Sequence, residues 1–182
     1  MAGMSSRVAG VPGPTVHETL KARGAELMPS TPGERAELLD ETDWSRKLEW
    51  RSLEAMAAYL RVYRLAAGRT LFHEGDHDAF MAIVLDGTLE IRKTDSTDHD
   101  RVVTTIGRGR MLGEMSLLDA AARSASANAA TTTTLLVLTR DEFHTIGEQN
   151  PALGLGITTA LAVQIAQLLR QTTGALVEHL DS

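Results

Sequence analysis

The sequence predicts an α+β fold, mainly β, in which N-terminal helices precede an eight-stranded jelly-roll-like β-roll and a long C-terminal hinge and lid helix follows it. Apolar residues recur at helical spacing before residue 61, alternate in short segments from there to residue 140, and return to helical spacing afterwards. The corresponding divisions are a flexible extension with a short helix (1–32), N-terminal helices (33–60), the β-roll (61–140) and the hinge with the lid helix (141–182).

Turn and capping signals define the N-terminal region. Residues 1–15 are rich in Gly, Pro and Ser, which favours a flexible chain, and a short helix is expected over 16–27. The segment 31–34, Thr-Pro-Gly-Glu, has the pattern of a capping box, so a second helix should begin there. Ser45 or Glu49 should begin a third helix, whose apolar face consists of Leu48, Leu53, Met56, Ala57 and Leu60.

The strands of the β-roll are expected where β-favouring residues alternate or cluster. The clearest such segments are 62–64, 70–72, 101–106 and 135–139. Asp86-Gly87, between the runs 83–85 and 88–92, is predicted to be a hairpin turn, because two-residue turns favour Asp-Gly. The polar segment 95–100 should be a second hairpin loop.

Helical spacing returns after residue 140. Asp141 is the expected N-cap of a short hinge helix around Phe143 and Ile146. Asn150-Pro151 should begin a long helix that continues to about Leu180.

Composition excludes several classes of site and partner. The 182 residues carry a formal net charge of −6, which does not favour nucleic-acid binding. The chain has no cysteine, so disulfides, thiolate metal sites and cysteine nucleophiles are excluded, and a cytoplasmic location is expected. The apolar stretch 153–169 contains Gln, Thr and Gly, so we expect a helix packed on a core and no membrane span.

The segment 113–126 carries the chemistry of an anion site. Glu114 and Arg123 lie nine positions apart, each beside small residues. A carboxylate accepts hydrogen bonds from hydroxyls, and a guanidinium donates a fork of N–H groups to a phosphate. The pair therefore suits a ribose joined to a phosphate, although by themselves the two residues could also form a structural ion pair.

Four segments, in this order along the chain, resemble the cyclic-nucleotide-binding domain family. They are 68–76 with its Gly75-Asp76 turn, the segment 83–91, the run 106–114, and 138–151. The resemblance extends over residues 60–180 and implies a phosphate-binding cassette at 112–126.

The resemblance also implies a role for each cassette residue. Glu114 would bind the ribose 2′-hydroxyl and Arg123 the cyclic phosphate, with Ser124 adding a hydroxyl and the backbone of Gly113, Met115 and Ser116 adding donors. Residues 115–118 should form one helical turn pointing at the phosphate. The sequence departs from the family at Ala122, where a proline often precedes the arginine.

In this family the C-terminal helix usually covers the base. Thr172 and Thr173 are the candidate base contacts on that helix, the alternative being that they are polar surface residues. The ligand implied is a 3′,5′-cyclic mononucleotide, most favourably cAMP. cGMP stays open, because the Ser124 hydroxyl could bond a guanine amine, and no cofactor is expected.

Taken together, these features predict a sensor that catalyses no reaction. Because the sequence stops at Ser182, directly after the lid helix, we expect it to stand alone, without a DNA-binding domain, and to signal by rearrangement of that helix to an unknown effector protein. A homodimer through the helix is the candidate assembly. The alternatives are a cyclic-dinucleotide sensor, a protein-interaction module with a degenerate pocket, and a metal-dependent β-barrel enzyme of cupin type.

Overall fold

Helices lie at both ends of a two-sheet β-roll. The computed structural model describes residues 14–44, 46–94, 99–119 and 121–180, the last seven of these as backbone only. The helices are α1 (Val16–Ala22), α2 (Pro32–Asp40), α3 (Trp50–Ala57), α4 (Met115–Asp119), α5 (Arg140–Gln149) and α6 (Pro151–Leu180). The strands are β1 (Ala25–Met28), β2 (Arg61–Leu65), β3 (Thr70–Phe72), β4 (Phe80–Asp86), β5 (Leu89–Thr94), β6 (Asp100–Ile106), β7 (Met111–Leu112), β8 (Ser126–Ala129) and β9 (Thr133–Thr139).

The strands form two antiparallel sheets, which confirms the predicted fold class. One sheet has the order β1-β2-β9-β4-β7 and the other β3-β8-β5-β6. The described residues hold nine strands rather than eight, because the segment predicted as one helix over 16–27 splits into α1 and β1. Gly24, at φ +86°, turns the chain between them, and β1 then pairs with β2.

The predicted hairpin at Asp86-Gly87 is wrong. The strand before it, β4, pairs with β7 and β9, whereas β5 after it pairs with β6 and β8 in the other sheet. The turn therefore carries the chain from one sheet to the other, and a Cβ at Gly87 would lie 2.5 Å from the Thr132 carbonyl oxygen. The second predicted hairpin is present as the β5–β6 pair, and residues 95–98 of its loop lie outside the described residues.

Strand β4 is buried on both faces because the fold has three layers. Phe80, Ala82 and Val84 face the core between the sheets, while Met81 and Ile83 belong to a second core beneath the helices. The second core includes residues of α2, α3, α5 and α6. A strand whose two faces are both covered has apolar residues at nearly every position, which is why the sequence of β4 lacks clear alternation.

Capping fixes where the helices begin. The predicted capping box of α2 is confirmed, with Thr31 and Glu34 bonded reciprocally. Glu49 precedes α3, and the alternative start, Ser45, lies outside the described residues. The N-cap of α5 is Thr139 and not Asp141, because Thr139 ends β9 in an extended conformation and forms a capping box with Glu142.

The long helix α6 begins at Pro151, as predicted. Among the described residues it is the one helix long and apolar enough, by length and composition, to cross a membrane. We expected its polar residues to exclude a membrane span, and by this test they do not. Its first half packs on the helical core through Leu153, Ile157 and Leu161. A core helix passes the same test, and length and composition alone therefore do not assign α6 to a membrane.

Candidate ligand-binding site

A tight turn at Gly113 opens the cassette. β7 ends at Leu112, Gly113 adopts φ +76°, and α4 begins at Met115, so the predicted helical turn is present. A Cβ at Gly113 would lie 2.5 Å from Nη1 of Arg123 and 2.9 Å from the Phe80 carbonyl oxygen. Only glycine lets the cassette backbone approach the arginine this closely.

Arg123 is buried in the wall of the site, with 5% of its surface exposed. Its Nη1 donates to the Ser116 Oγ at 2.9 Å and to the Gly113 carbonyl at 3.2 Å. Its Nη2 donates to the Phe80 carbonyl at 2.9 Å, and its Nε donates to Asp78 Oδ1 at 3.3 Å. These bonds fix the plane and direction of the guanidinium.

Two aromatic rings enclose the same guanidinium. Its central carbon lies 4.0 Å from the ring centroid of Phe72 and 4.4 Å from that of Phe80, and the two rings pack edge to face. Burial lowers the pKa of Arg123 from its ordinary value, while the charge and hydrogen bond of Asp78 oppose that shift. The site thus holds a cation in apolar surroundings, where an anion is attracted more strongly than in water.

Glu114 is the buried carboxylate of the site, with 7% of its surface exposed. Burial raises the pKa of its carboxyl above the ordinary value. A hydrogen bond from its own backbone N–H and the charges of Arg123 and Lys47 offset part of that rise. A hydroxyl that donated to this carboxylate would supply a partner for a buried charge.

The two charged side chains line one cavity of about 360 Å³. The cavity brings together six of the eight predicted site residues: Gly113, Glu114, Met115, Ser116, Arg123 and Ser124. Its other walls are largely apolar and come from β3, β5, β6, β7 and α6, including Phe72, Ile91, Thr104, Ile106 and Leu112. An apolar cavity with a few convergent polar groups is typical of small-molecule sites.

Helix α6 lines the cavity at positions one and two turns before the predicted base contacts. Its lining residues are Gln164 and Leu168. Thr172 and Thr173 are exposed, do not line the cavity, and donate their hydroxyls to the carbonyls of Leu168 and Leu169. Their contact with a base stays a prediction.

Sequence reasoning missed the residues that join distant parts of the chain to the site. Lys47 donates from Nζ to Gln164 Oε1 at 2.7 Å across 117 positions, and so links the α2–α3 connection to α6. The contacts of Arg123 with Asp78, which accepts from it, and with Phe72, which stacks on it, were also not predicted. The spacing Gln164, Leu168, Thr172 is the one available signal, because it places all three on one face of a helix.

The part of the chain that the structure describes holds no cluster of three or more His, Cys, Asp or Glu side chains suited to a metal ion. The His73 and Asp76 side chains lie 3.5 Å apart in the turn after β3.

Comparison with known proteins gives the same picture. Residues 62–150 match the family model of the cyclic nucleotide-binding domain. The cyclic AMP receptor protein of Thermus thermophilus is 31% identical over 100 residues, which are 55% of this chain and 46% of that protein. The chain therefore spans less than half the length of that relative.

Solved structures share the architecture. A cyclic nucleotide-binding domain from Methylobacillus flagellatus has a TM-score of 0.74 at 21% identity, covering 84% of this chain and 88% of that one. The regulatory domain of PKA from Toxoplasma gondii, solved with cAMP, has a TM-score of 0.56 at 27% identity, covering 63% of this chain and 44% of that one. Residues 62–150 of the chain therefore carry a match to the cyclic nucleotide-binding domain family, the same family that the sequence motifs resemble.

Proposed function

We propose that the cavity binds a 3′,5′-cyclic mononucleotide, most favourably cAMP, and that the chain acts as a sensor without catalysing a reaction. The observation that carries this proposal is the placement of Glu114 and Arg123, both buried, on the wall of one cavity. Arg123 would bind the singly charged phosphate, and Glu114 would accept from the ribose 2′-hydroxyl. Ser116, Ser124 and the backbone N–H groups from Gly113 to Ser116 supply further polar groups.

With the phosphate and ribose placed in this way, the base would lie in the remaining apolar part of the cavity. That part is bounded by Ile91 and Ile106 on the four-stranded sheet and by Gln164 and Leu168 on α6. The Gln164 amide can bond a base edge, and Lys47 already holds its oxygen. The choice between cAMP and cGMP rests on this end of the site and on Ser124.

The signal would pass through α6. Because α6 lines the cavity and follows the hinge helix α5, a ligand that contacts Gln164 and Leu168 would favour one position of α6 over others. Among the side chains of α6 that the structure describes, those of Leu155 and Leu169 are the most exposed large apolar ones, at 68% and 66%. They would form the surface that meets a second copy of the chain or an effector protein in the cytoplasm.

The test is calorimetric titration of the purified protein with cAMP, cGMP and cyclic di-GMP. We expect saturable binding of one mononucleotide, and Arg123→Ala should weaken it by roughly a hundredfold or more, because the phosphate loses its buried cation. Arg64→Ala removes an exposed arginine of β2 and is the matched control for lost charge. Glu114→Ala, which leaves Arg123 in place, gives a second reading if Arg123→Ala proves unstable.

Three outcomes would contradict the proposal. Unchanged affinity in a folded Arg123→Ala variant would refute the assignment of the phosphate site. Preference for cyclic di-GMP would favour a dinucleotide sensor. Failure of the unmodified protein to bind any of the three would favour a protein-interaction module.

A further inference from the structure

Arg23 lies outside the matched domain and yet contacts the loop that is bonded to Arg123 of the ligand site. It follows α1, and its guanidinium donates to both carboxylates of the β3–β4 loop. Nη1 donates to Asp78 Oδ2 at 2.5 Å and to the Leu71 carbonyl at 2.7 Å, while Nη2 donates to Asp76 Oδ2 at 2.8 Å.

Asp78 connects Arg23 to the cassette arginine. One carboxylate oxygen accepts from Arg23 and the other from Arg123 Nε at 3.3 Å. The side-chain exposure falls along this path, from 17% at Arg23 to 9% at Asp78 and 3% at Arg123. We propose that Arg23 is a positioning residue for phosphate recognition, acting on Arg123 through Asp78. The expected effect of Arg23 on nucleotide binding rests on the proposed function.

The backbone strengthens the same connection. The Arg123 N–H donates to the Asp76 carbonyl at 2.8 Å, and the Gly75 N–H donates to the Arg123 carbonyl at 2.9 Å. The β3–β4 loop is therefore bonded to Arg123 on both its side-chain and main-chain groups. By holding two carboxylates of that loop, Arg23 restrains the segment to which Arg123 is attached.

Charge balance points in the same direction. Arg23, Asp76, Asp78 and Arg123 together carry two positive and two negative charges. Without Arg23, the remaining three would carry a net charge of −1 beside a site for an anion. Both the lost restraint and the added negative charge weaken phosphate binding.

Helix α1 provides a fixed base for Arg23. Its capping box, Thr15 with Glu18, closes the N-terminal end. The His17 ring is hydrogen-bonded through Nδ1 to the Tyr63 hydroxyl at 2.7 Å and stacks on that ring. After Arg23, β1 pairs with β2, so the backbone is held both before and after this residue. The Arg23 side chain therefore loses little additional conformational freedom when it bonds Asp78.

The experiment compares Arg23→Ala and Arg23→Lys with Lys21→Ala in the full chain. Lys21 is exposed on α1, two positions before Arg23, so its replacement removes one positive charge from the same part of the chain. We expect Arg23→Ala to weaken the binding of cAMP and of cGMP by the same factor, about tenfold, because both nucleotides carry the same cyclic phosphate. Arg23→Lys should be intermediate because it keeps the charge and loses the fork, and Lys21→Ala should bind as the unmodified protein does.

A second measurement does not depend on nucleotide. The Nε–H resonance of Arg123, followed by ¹⁵N NMR without added ligand, should shift in Arg23→Ala and stay in place in Lys21→Ala. A stationary resonance together with unchanged affinity would overturn the inference, as would full recovery of affinity in Arg23→Lys. If the unmodified protein binds no cyclic nucleotide, the proposed function fails, and the resonance alone decides whether Arg23 positions Arg123.

Discussion

Replacing Gly113 with alanine tests whether the turn before α4 places Arg123. An L side chain at φ +76° costs about 1–2 kcal/mol because its Cβ crowds the backbone. The new Cβ would also lie 2.5 Å from Arg123 Nη1 and 2.9 Å from the Phe80 carbonyl oxygen, both inside van der Waals contact. Phe72 and Phe80 enclose the guanidinium, so it can move away only by giving up hydrogen bonds.

The size of the effect follows from those bonds. Nη1 donates to Gly113 and Ser116, and a hydrogen bond to a charged group contributes about 1.5–3 kcal/mol. Losing one of them in addition to the backbone cost should lower the free energy of unfolding by about 2.5–5 kcal/mol. The displaced guanidinium should also weaken cAMP binding by about tenfold or more.

Gly68→Ala is the matched control, because Gly68 has φ +78° and nothing within 4 Å of its Cβ position. It should lose only the backbone cost of about 1–2 kcal/mol and keep its affinity for cAMP. Urea unfolding and calorimetric titration of both variants give the comparison. Equal losses of stability with unchanged affinity in both would refute the steric argument.

Two further predictions concern the other polar groups of the cavity. Because the folded-state pKa of Glu114 is raised, its carboxyl stabilises the fold at low pH, and that contribution is lost as pH rises through the raised pKa. Glu114→Gln has no carboxyl to ionise, so it should not lose this stability as pH rises, and its free energy of unfolding at pH 7 should be higher by roughly 1 kcal/mol. The same variant should bind cAMP about tenfold more weakly. Thermal unfolding between pH 4 and 8 with parallel titrations measures both, and an unaltered pH profile in the variant would contradict the assignment. Gln164→Ala should weaken cAMP by roughly three- to tenfold, whereas Gln167→Ala on the exposed side of α6 should not. A loss confined to Thr172→Ala would instead place the base one or two turns further along the helix.

Features that depend on nearby residues could be predicted from the sequence. The capping box at Thr31 and Glu34, the helical turn after Gly113, and the start of α6 at Pro151 each follow from residues within a few positions of one another. The cassette is also local, since Glu114 and Arg123 lie on the one connection between β7 and β8, which includes α4. Their meeting at one cavity therefore requires little information about the rest of the chain.

Features that depend on distant pairing could not be predicted in this way. Asp86-Gly87 is a good hairpin signal, but β4 finds better partners in β9 and β7 because both of its faces are apolar. Lys47 reaches Gln164 across 117 positions and Arg23 reaches Asp78 across 55. A single sequence does not record such contacts, because no local pattern requires either partner.

The bonding of Arg123 indicates how phosphate binding would act on the rest of the fold. The described contacts use four of the five guanidinium N–H groups, and a bidentate contact with a phosphate needs two. At least one protein bond must therefore be exchanged. The Phe80 acceptor lies on β4, paired on both sides, and Asp78 is held by Arg23, whereas Gly113 and Ser116 belong to the cassette. The Gly113 carbonyl and the Ser116 hydroxyl are neutral acceptors, whereas a phosphate oxygen carries negative charge, so a phosphate can replace a cassette acceptor at a net gain in Coulomb attraction. Because α4 contacts α5, which leads directly into α6, we expect that exchange to be transmitted from the cassette through the hinge to the lid helix.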